Sequence, residues 1–177
     1  AEAFENDGTS SLQSFDIPND YSDTDGHLLI AKKDGRYRFD ISISTSDDNQ
    51  AAYTITLKKI RATTSEDIAI NEAATRIFDL YSEGLKLKKE TNSASRKSAF
   101  SKFEAIIPLS RIKQDKYWES LAYEYMASVS RSLSETQKAL SYYAESLKLA
   151  ESLNFKRKQA FLINQIGLTY YALSDVK

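Results

Sequence analysis

The chain has 177 residues, of which 24 are basic and 25 acidic, with hydrophobic residues at 41% and charged ones at 28%. These are ordinary globular proportions, and the even charge balance argues against nucleic acid as the main partner. No apolar run reaches the roughly 18–20 residues that span a bilayer, and the absence of cysteine excludes disulfides, thiolate nucleophiles and zinc–cysteine sites.

Residues 1–63 read as an antiparallel β region. Arg36–Ile43 alternates polar and apolar residues, which puts Tyr37, Phe39, Ile41 and Ile43 on one face of a strand. A strand over His27–Lys33 precedes it through Asp34-Gly35, a pair suited to a two-residue hairpin turn. Polar Ser44–Gln50 leads to a third strand, Ala52–Ile60, and Leu12–Phe15 reads as a shorter one. The expected product is a meander with one wet face, too small to be secure without the helices or further strands. Asp20, Asp23 and Asp25 before Gly26 raise a calcium loop, but Tyr21 and Lys32 stand where an EF-hand needs acids, so a polar turn is expected. His27 has no second ligand in view and reads as a surface or packing residue.

From residue 64 the pattern is helical. Thr64-Ser65-Glu66-Asp67 matches a capping box, with the Thr64 hydroxyl accepting from the Asp67 backbone. The first helix is expected over about 65–89, burying Ile68, Ile70, Ala74, Ile77, Phe78, Tyr81, Leu85 and Leu87. A second covers about 95–107 and is ended or kinked by Pro108. A third runs from about 116 to 133, and Ser134-Glu135-Thr136-Gln137 reads as a capping box opening a fourth to about 153. A fifth occupies about 157–173, and Ser174-Asp175 reads as the N-cap of another. The chain has no initiating Met and stops at Asp175-Val176-Lys177 where a further helix is expected, so it reads as a piece of something longer.

The helices repeat. Ala99, Phe103 and Ile106 recur 40 residues later as Ala139, Tyr143 and Ser146, and Met126, Ala127 and Leu133 recur as Ile166, Gly167 and Leu173. Spacings of four and three place the trios that begin at Ala99 and Ala139 on one helix face, as stacked helix pairs require. Ile166-Gly167-x-x-Tyr170 with Leu173-Ser174-Asp175 resembles the first helix and turn of a tetratricopeptide repeat, and Ala139-x-x-x-Tyr143-x-x-Ser146 resembles its second helix. The 40-residue period exceeds the family's usual length of about 34 by nearly two turns per pair. The first pair, about 65–107, keeps only the second-helix trio and reads as an atypical cap.

Gly35-Arg36-Tyr37-Arg38-Phe39, then Ala52–Leu57, Arg61–Thr64 and Asp67, is similar to a bacterial arrangement in which a pre-peptidase C-terminal-like β-sandwich leads into such repeats. In that family a CHAT domain, a caspase-like cysteine peptidase, often follows. The resemblance implies that any such peptidase lies beyond Lys177, and it favours a secreted or periplasmic setting over a cytoplasmic one.

The expected fold class is α+β: residues 1–63 a small antiparallel sheet, part of a sandwich, and 64–177 an α-solenoid of antiparallel helix pairs. The expected function is a non-catalytic scaffold that holds a protein or peptide in a concave groove. Carrying over the repeat family's groove positions names Leu121, Glu124, Ser128 and Arg131 from the third helix, and Phe161, Asn164, Leu168 and Tyr171 from the fifth. Arg131 beside Asn164 and Tyr171 suits an acidic or C-terminal peptide. The alternative reading makes these ordinary inter-repeat contacts.

Tyr117, Trp118, Tyr123, Tyr125, Tyr142, Tyr143, Tyr170 and Tyr171 read chiefly as packing between helices. Lys86, Lys88, Lys89, Arg96 and Lys97 read as a solvated tip. No phosphate loop or metal-ligand spacing supports a hydrolase, and no cofactor is expected. A sugar- or surface-binding β domain is the other alternative, although Tyr37, Phe39 and Tyr53 alternate as a buried face would. The apolar end at Leu173–Lys177 is expected to promote self-association.

Overall fold

A computed structural model describes residues 2–4, 11–14, 38–40 and 62–174. The chain divides into two compact units, Ala1–Ile68 and Ala69–Lys177.

In the first unit β1 (Glu2–Phe4), β2 (Ser11–Ser14) and β3 (Arg38–Asp40) pair antiparallel in the order β2-β1-β3, with Ala3 opposite both Gln13 and Phe39. The α+β class with a sandwich before the solenoid is thereby corrected. The long described stretch, 62–174, is helical with no strand, and no β-sandwich is present among the described residues. Strands of three or four residues fall short of the usual five or six and offer too little area to build two packed layers. Among the described residues β1 lies between β2 and β3, and it has no alternating signature in its sequence. The expected strands over 27–33 and 52–60, the Asp34-Gly35 turn and the Asp20–Asp25 loop lie outside the described residues, and so does His27.

The helices are α1 (Ser65–Lys88), α2 (Ser93–Glu104), α3 (Ile106–Ile112), α4 (Lys116–Ser132), α5 (Thr136–Ser152) and α6 (Lys156–Ser174). At the start of α1, Asp67 N–H donates to Thr64 Oγ1 at 3.2 Å and Thr64 N–H donates to Asp67 Oδ2 at 2.8 Å, a reciprocal cap. The buried stripe of α1 is Ala73, Ile77, Leu80 and Gly84, whereas Ile68 (47% exposed) and Phe78 (48%) face outward, contrary to expectation. The inward stripe follows spacings of four, three and four. Gly84 belongs to it because the Phe103 ring occupies the space that a side chain there would need.

Pro108 does not end a helix. Ala105 closes α2 and also caps α3, so Pro108 is the third residue of α3. Amide hydrogens of a first turn have no intrahelical acceptor, and proline loses nothing there.

Three identical turns then set the cadence. Gln114, Ser134 and Asn154 adopt positive φ (56°, 62° and 53°), spaced by 20 residues. At each, the following residue donates back to the fully buried Ser110, Ser130 or Ala150 carbonyl, with Asp115 N–H at 2.8 Å, Glu135 N–H at 2.9 Å and Phe155 N–H at 2.9 Å. The positive-φ residue itself donates to Arg111, Arg131 or Glu151, which completes a Schellman closure. Ser134 is therefore the left-handed end of α4 and not the cap of α5, whose N-cap Glu135 makes no side-chain capping bond. Asp115, by contrast, caps α4 by accepting from Tyr117 and Trp118 N–H.

Packing centres on α4. Arg96 Nη1 donates to Ser132 O at 3.0 Å and Phe103 stacks on Tyr125 at 4.9 Å, so α2 runs antiparallel to α4. Ser120 Oγ donates to Ser146 O at 3.1 Å and Ser146 Oγ to Ser120 O at 2.8 Å, while Ala127 meets Ala139 and Tyr143 in one apolar cluster. That register makes α5 antiparallel to α4 as well. The repeated trios Ala99, Phe103, Ile106 and Ala139, Tyr143, Ser146 are all buried, as the periodicity requires. Burying side chains such as Phe103 and Ile106 contributes about 1.5–3 kcal/mol each. The result is a helical-repeat arrangement.

Candidate interaction face

The helices α1, α4 and α6 lie side by side and parallel. Tyr81 of α1 meets Trp118 edge-on at 5.3 Å, and its hydroxyl lies 3.2 Å from that of Tyr125 on α4. From α4 to α6, Lys158 Nζ pairs with Glu124 Oε2 at 2.7 Å, and Arg131 Nη1 donates to Gln165 Oε1 at 3.0 Å. Glu124 and Arg131 are two turns apart on α4, and so are Lys158 and Gln165 on α6, so these two bonds tie the helices at matching heights.

The ion pair is well sheltered, with side-chain exposures of 7% for Lys158 and 17% for Glu124. Lys158 also sits 5.5 Å from the Tyr117 ring centroid, where the π face offsets part of the cost of burying an ammonium. Lys88, the last residue of α1, lies over the Tyr125 ring at 5.1 Å. Burial pulls the Lys88 ammonium below its ordinary range, with Glu124 acting against the shift and Arg131 adding to it. Burial and the bond to Tyr81 push the Tyr125 phenol up, and burial raises Tyr143.

Three cations, Lys88, Arg131 and Lys158, thus gather around one carboxylate, and that carboxylate is engaged by Lys158. Among the described residues neither Lys88 nor Arg131 has a carboxylate ion pair. The face can therefore receive a carboxylate oxygen without displacing an existing pair.

Of the residues expected in the groove, Glu124 and Arg131 are on this face, with Leu121 and Ser128 half-buried on the same helix. Arg131 bonds to Gln165, the neighbour of the expected Asn164. Asn164, Leu168, Tyr171 and Phe161 stand exposed on α6. Lys88, Lys158 and Gln165 were not anticipated. The sequence groups Lys88 with a solvated tip, yet it folds back half-buried over Tyr125. The seven-residue spacing shared by Glu124/Arg131 and Lys158/Gln165 is the sequence signal that could have found this pairing. No protein-family model matches the chain, and no curated protein or solved structure matches it. No helix among the described residues is long and apolar enough to cross a membrane.

Proposed function

We propose that this chain is a non-catalytic interaction segment, a tetratricopeptide-like array that holds an acidic stretch of a partner protein across α1, α4 and α6. The observation that carries the reading is the surplus of cations, Lys88 and Arg131, beside a Glu124 already engaged by buried Lys158. The exposed phenol face of Tyr171 and the apolar Leu168 extend the contact area along α6. Within a larger bacterial protein of the CHAT type, the segment would choose which proteins come near the peptidase.

Fluorescence anisotropy with a labelled glutamate-rich peptide of about ten residues tests this, since an attraction of this kind weakens with added salt. Lys88→Ala/Arg131→Gln should weaken binding at least about ten-fold, a loss of about 1.4 kcal/mol. Equal binding by the variant and the wild type would refute the assignment.

A further inference from the structure

A hydroxyl stands between the two surplus cations of the candidate face. On α4 Ser128 is three residues past Tyr125, whose ring carries Lys88 at 5.1 Å, and three residues before Arg131. Places three apart are neighbours on a helix surface, so the three form one stripe. Helical side chains lean toward the N-terminus, which inclines Arg131 toward Ser128. Ser128 is half-buried, and its hydroxyl makes no hydrogen bond among the described residues. We propose that this stripe holds a phosphate monoester, a phosphoserine or phosphothreonine within the partner's acidic segment, and that phosphorylation there strengthens binding. The inference rests on the acidic-segment reading above and narrows it to a phosphorylated partner.

Charge balance favours a phosphate over a carboxylate. Lys88, Arg131 and Lys158 against Glu124 leave two positive charges in excess, and Lys158 is the cation that Glu124 already holds at 2.7 Å. A glutamate would balance one of the two, whereas a phosphate, with a charge of about −1.5 to −2, balances nearly both. Burial acts against the charge on Lys88, and so does Arg131, with Glu124 in partial opposition. An anion placed between the two cations relieves that cost. The helix ends do not compete for them. After α1, Lys89 and Glu90 N–H occupy the Lys86 and Leu87 carbonyls, and after α4, Glu135 and Ser134 N–H occupy those of Ser130 and Arg131.

The donors point the same way. Arg131 gives Nη1 to Gln165 at 3.0 Å, which leaves Nη2 and Nε to fork onto an oxyanion. Lys88 rests on a ring and has no carboxylate partner among the described residues, and Ser128 adds a hydroxyl. Three donor groups thus face the three oxygens of a phosphoryl group, one more than a carboxylate has.

Fluorescence anisotropy tests this with the labelled glutamate-rich peptide, its central residue being serine, glutamate or phosphoserine in turn. The phosphoserine form should bind at least about ten-fold more tightly than the glutamate form. That ratio should fall as pH is lowered from about 7.5 to about 5.5, because the phosphate loses its second charge with a pKa of about 6. Arg131→Lys keeps the charge but not the fork, and Ser128→Ala removes the hydroxyl. Each should reduce the ratio several-fold with unchanged circular dichroism. Equal binding of the phosphoserine and glutamate forms, or a ratio indifferent to pH and to both substitutions, would overturn the proposal and leave the acidic-segment reading in place. Displacement of the phosphoserine peptide by an equal concentration of inorganic phosphate would overturn it as well, since the site would then take the free ion. Absence of binding by every form would remove both readings.

Discussion

Gly84→Ala and Gly167→Ala add the same methyl group to the interior of a helix, and they should shift stability in opposite directions. Alanine favours a helix over glycine by about 1 kcal/mol, so this gain is common to both variants. At Gly167 nothing lies within 4 Å of the new carbon, and the gain should appear undiminished. At Gly84 the new carbon would come 2.7 Å from Phe103 Cε1 and 2.8 Å from Cζ. The Phe103 ring is fully buried and stacked on Tyr125 at 4.9 Å, so it has little room to retreat. Overpacking of this kind costs about 1–3 kcal/mol. The helix contribution cancels in the difference between the two variants, which therefore isolates the clash at about 1–3 kcal/mol. Urea unfolding followed by circular dichroism and by the single Trp118, kept at low protein concentration, measures it. Phe103→Leu, placed in the Gly84→Ala background, should cost less than it does alone. If both alanine variants are equally stable, the close approach of α1 to Phe103 is wrong.

Ser120→Ala and Ser146→Ala should each lose about 1 kcal/mol, and their double-mutant cycle should show coupling of at least about 0.5 kcal/mol, because the two hydroxyls share one buried exchange. Strict additivity in urea melts would deny that exchange. Lys158→Met removes the direct partner of a sheltered Glu124 and should cost about 1.5–3 kcal/mol, most of it recovered by adding Glu124→Leu; a harmless single variant would mean the pair is solvated. Burial raises the phenols of Tyr125 and Tyr143, so the native state keeps protons that the unfolded chain releases above pH of about 10. The stability they contribute is complete below that pH and is lost as pH rises further. The difference in absorbance at 295 nm between the wild type and Tyr125→Phe/Tyr143→Phe isolates their ionisation, which should appear only together with loss of helical dichroism; a difference at lower pH would contradict their burial.

What could be read from the sequence was local or periodic. The Thr64–Asp67 cap needs only four consecutive residues, and the 40-residue echo of Ala99, Phe103 and Ile106 in Ala139, Tyr143 and Ser146 needs only counting. The turns were harder, because left-handed positions are usually glycine and here are Gln114, Ser134 and Asn154. Serine before a helix resembles a cap, and nothing local shows that Ser134 belongs instead to the end of α4. Pro108 resembled a terminator because nothing local says that a short helix starts just before it. At the candidate face, Glu124 and Arg131 could be placed by helix position. Lys88 and Lys158 could not, since a lysine's burial depends on which ring and which carboxylate tertiary packing brings beside it. The β region misled because alternation marks a strand's face and says nothing about how many neighbours it finds.

The even cadence of the turns at Gln114, Ser134 and Asn154 imposes a parity rule on length change. Excising one turn-to-turn interval of 20 residues would reverse the direction of every helix downstream and swap inward faces for outward ones. Excising or duplicating two intervals, 40 residues, restores direction and leaves each face toward its former neighbours. An array built this way tolerates growth and loss in even steps and resists odd ones.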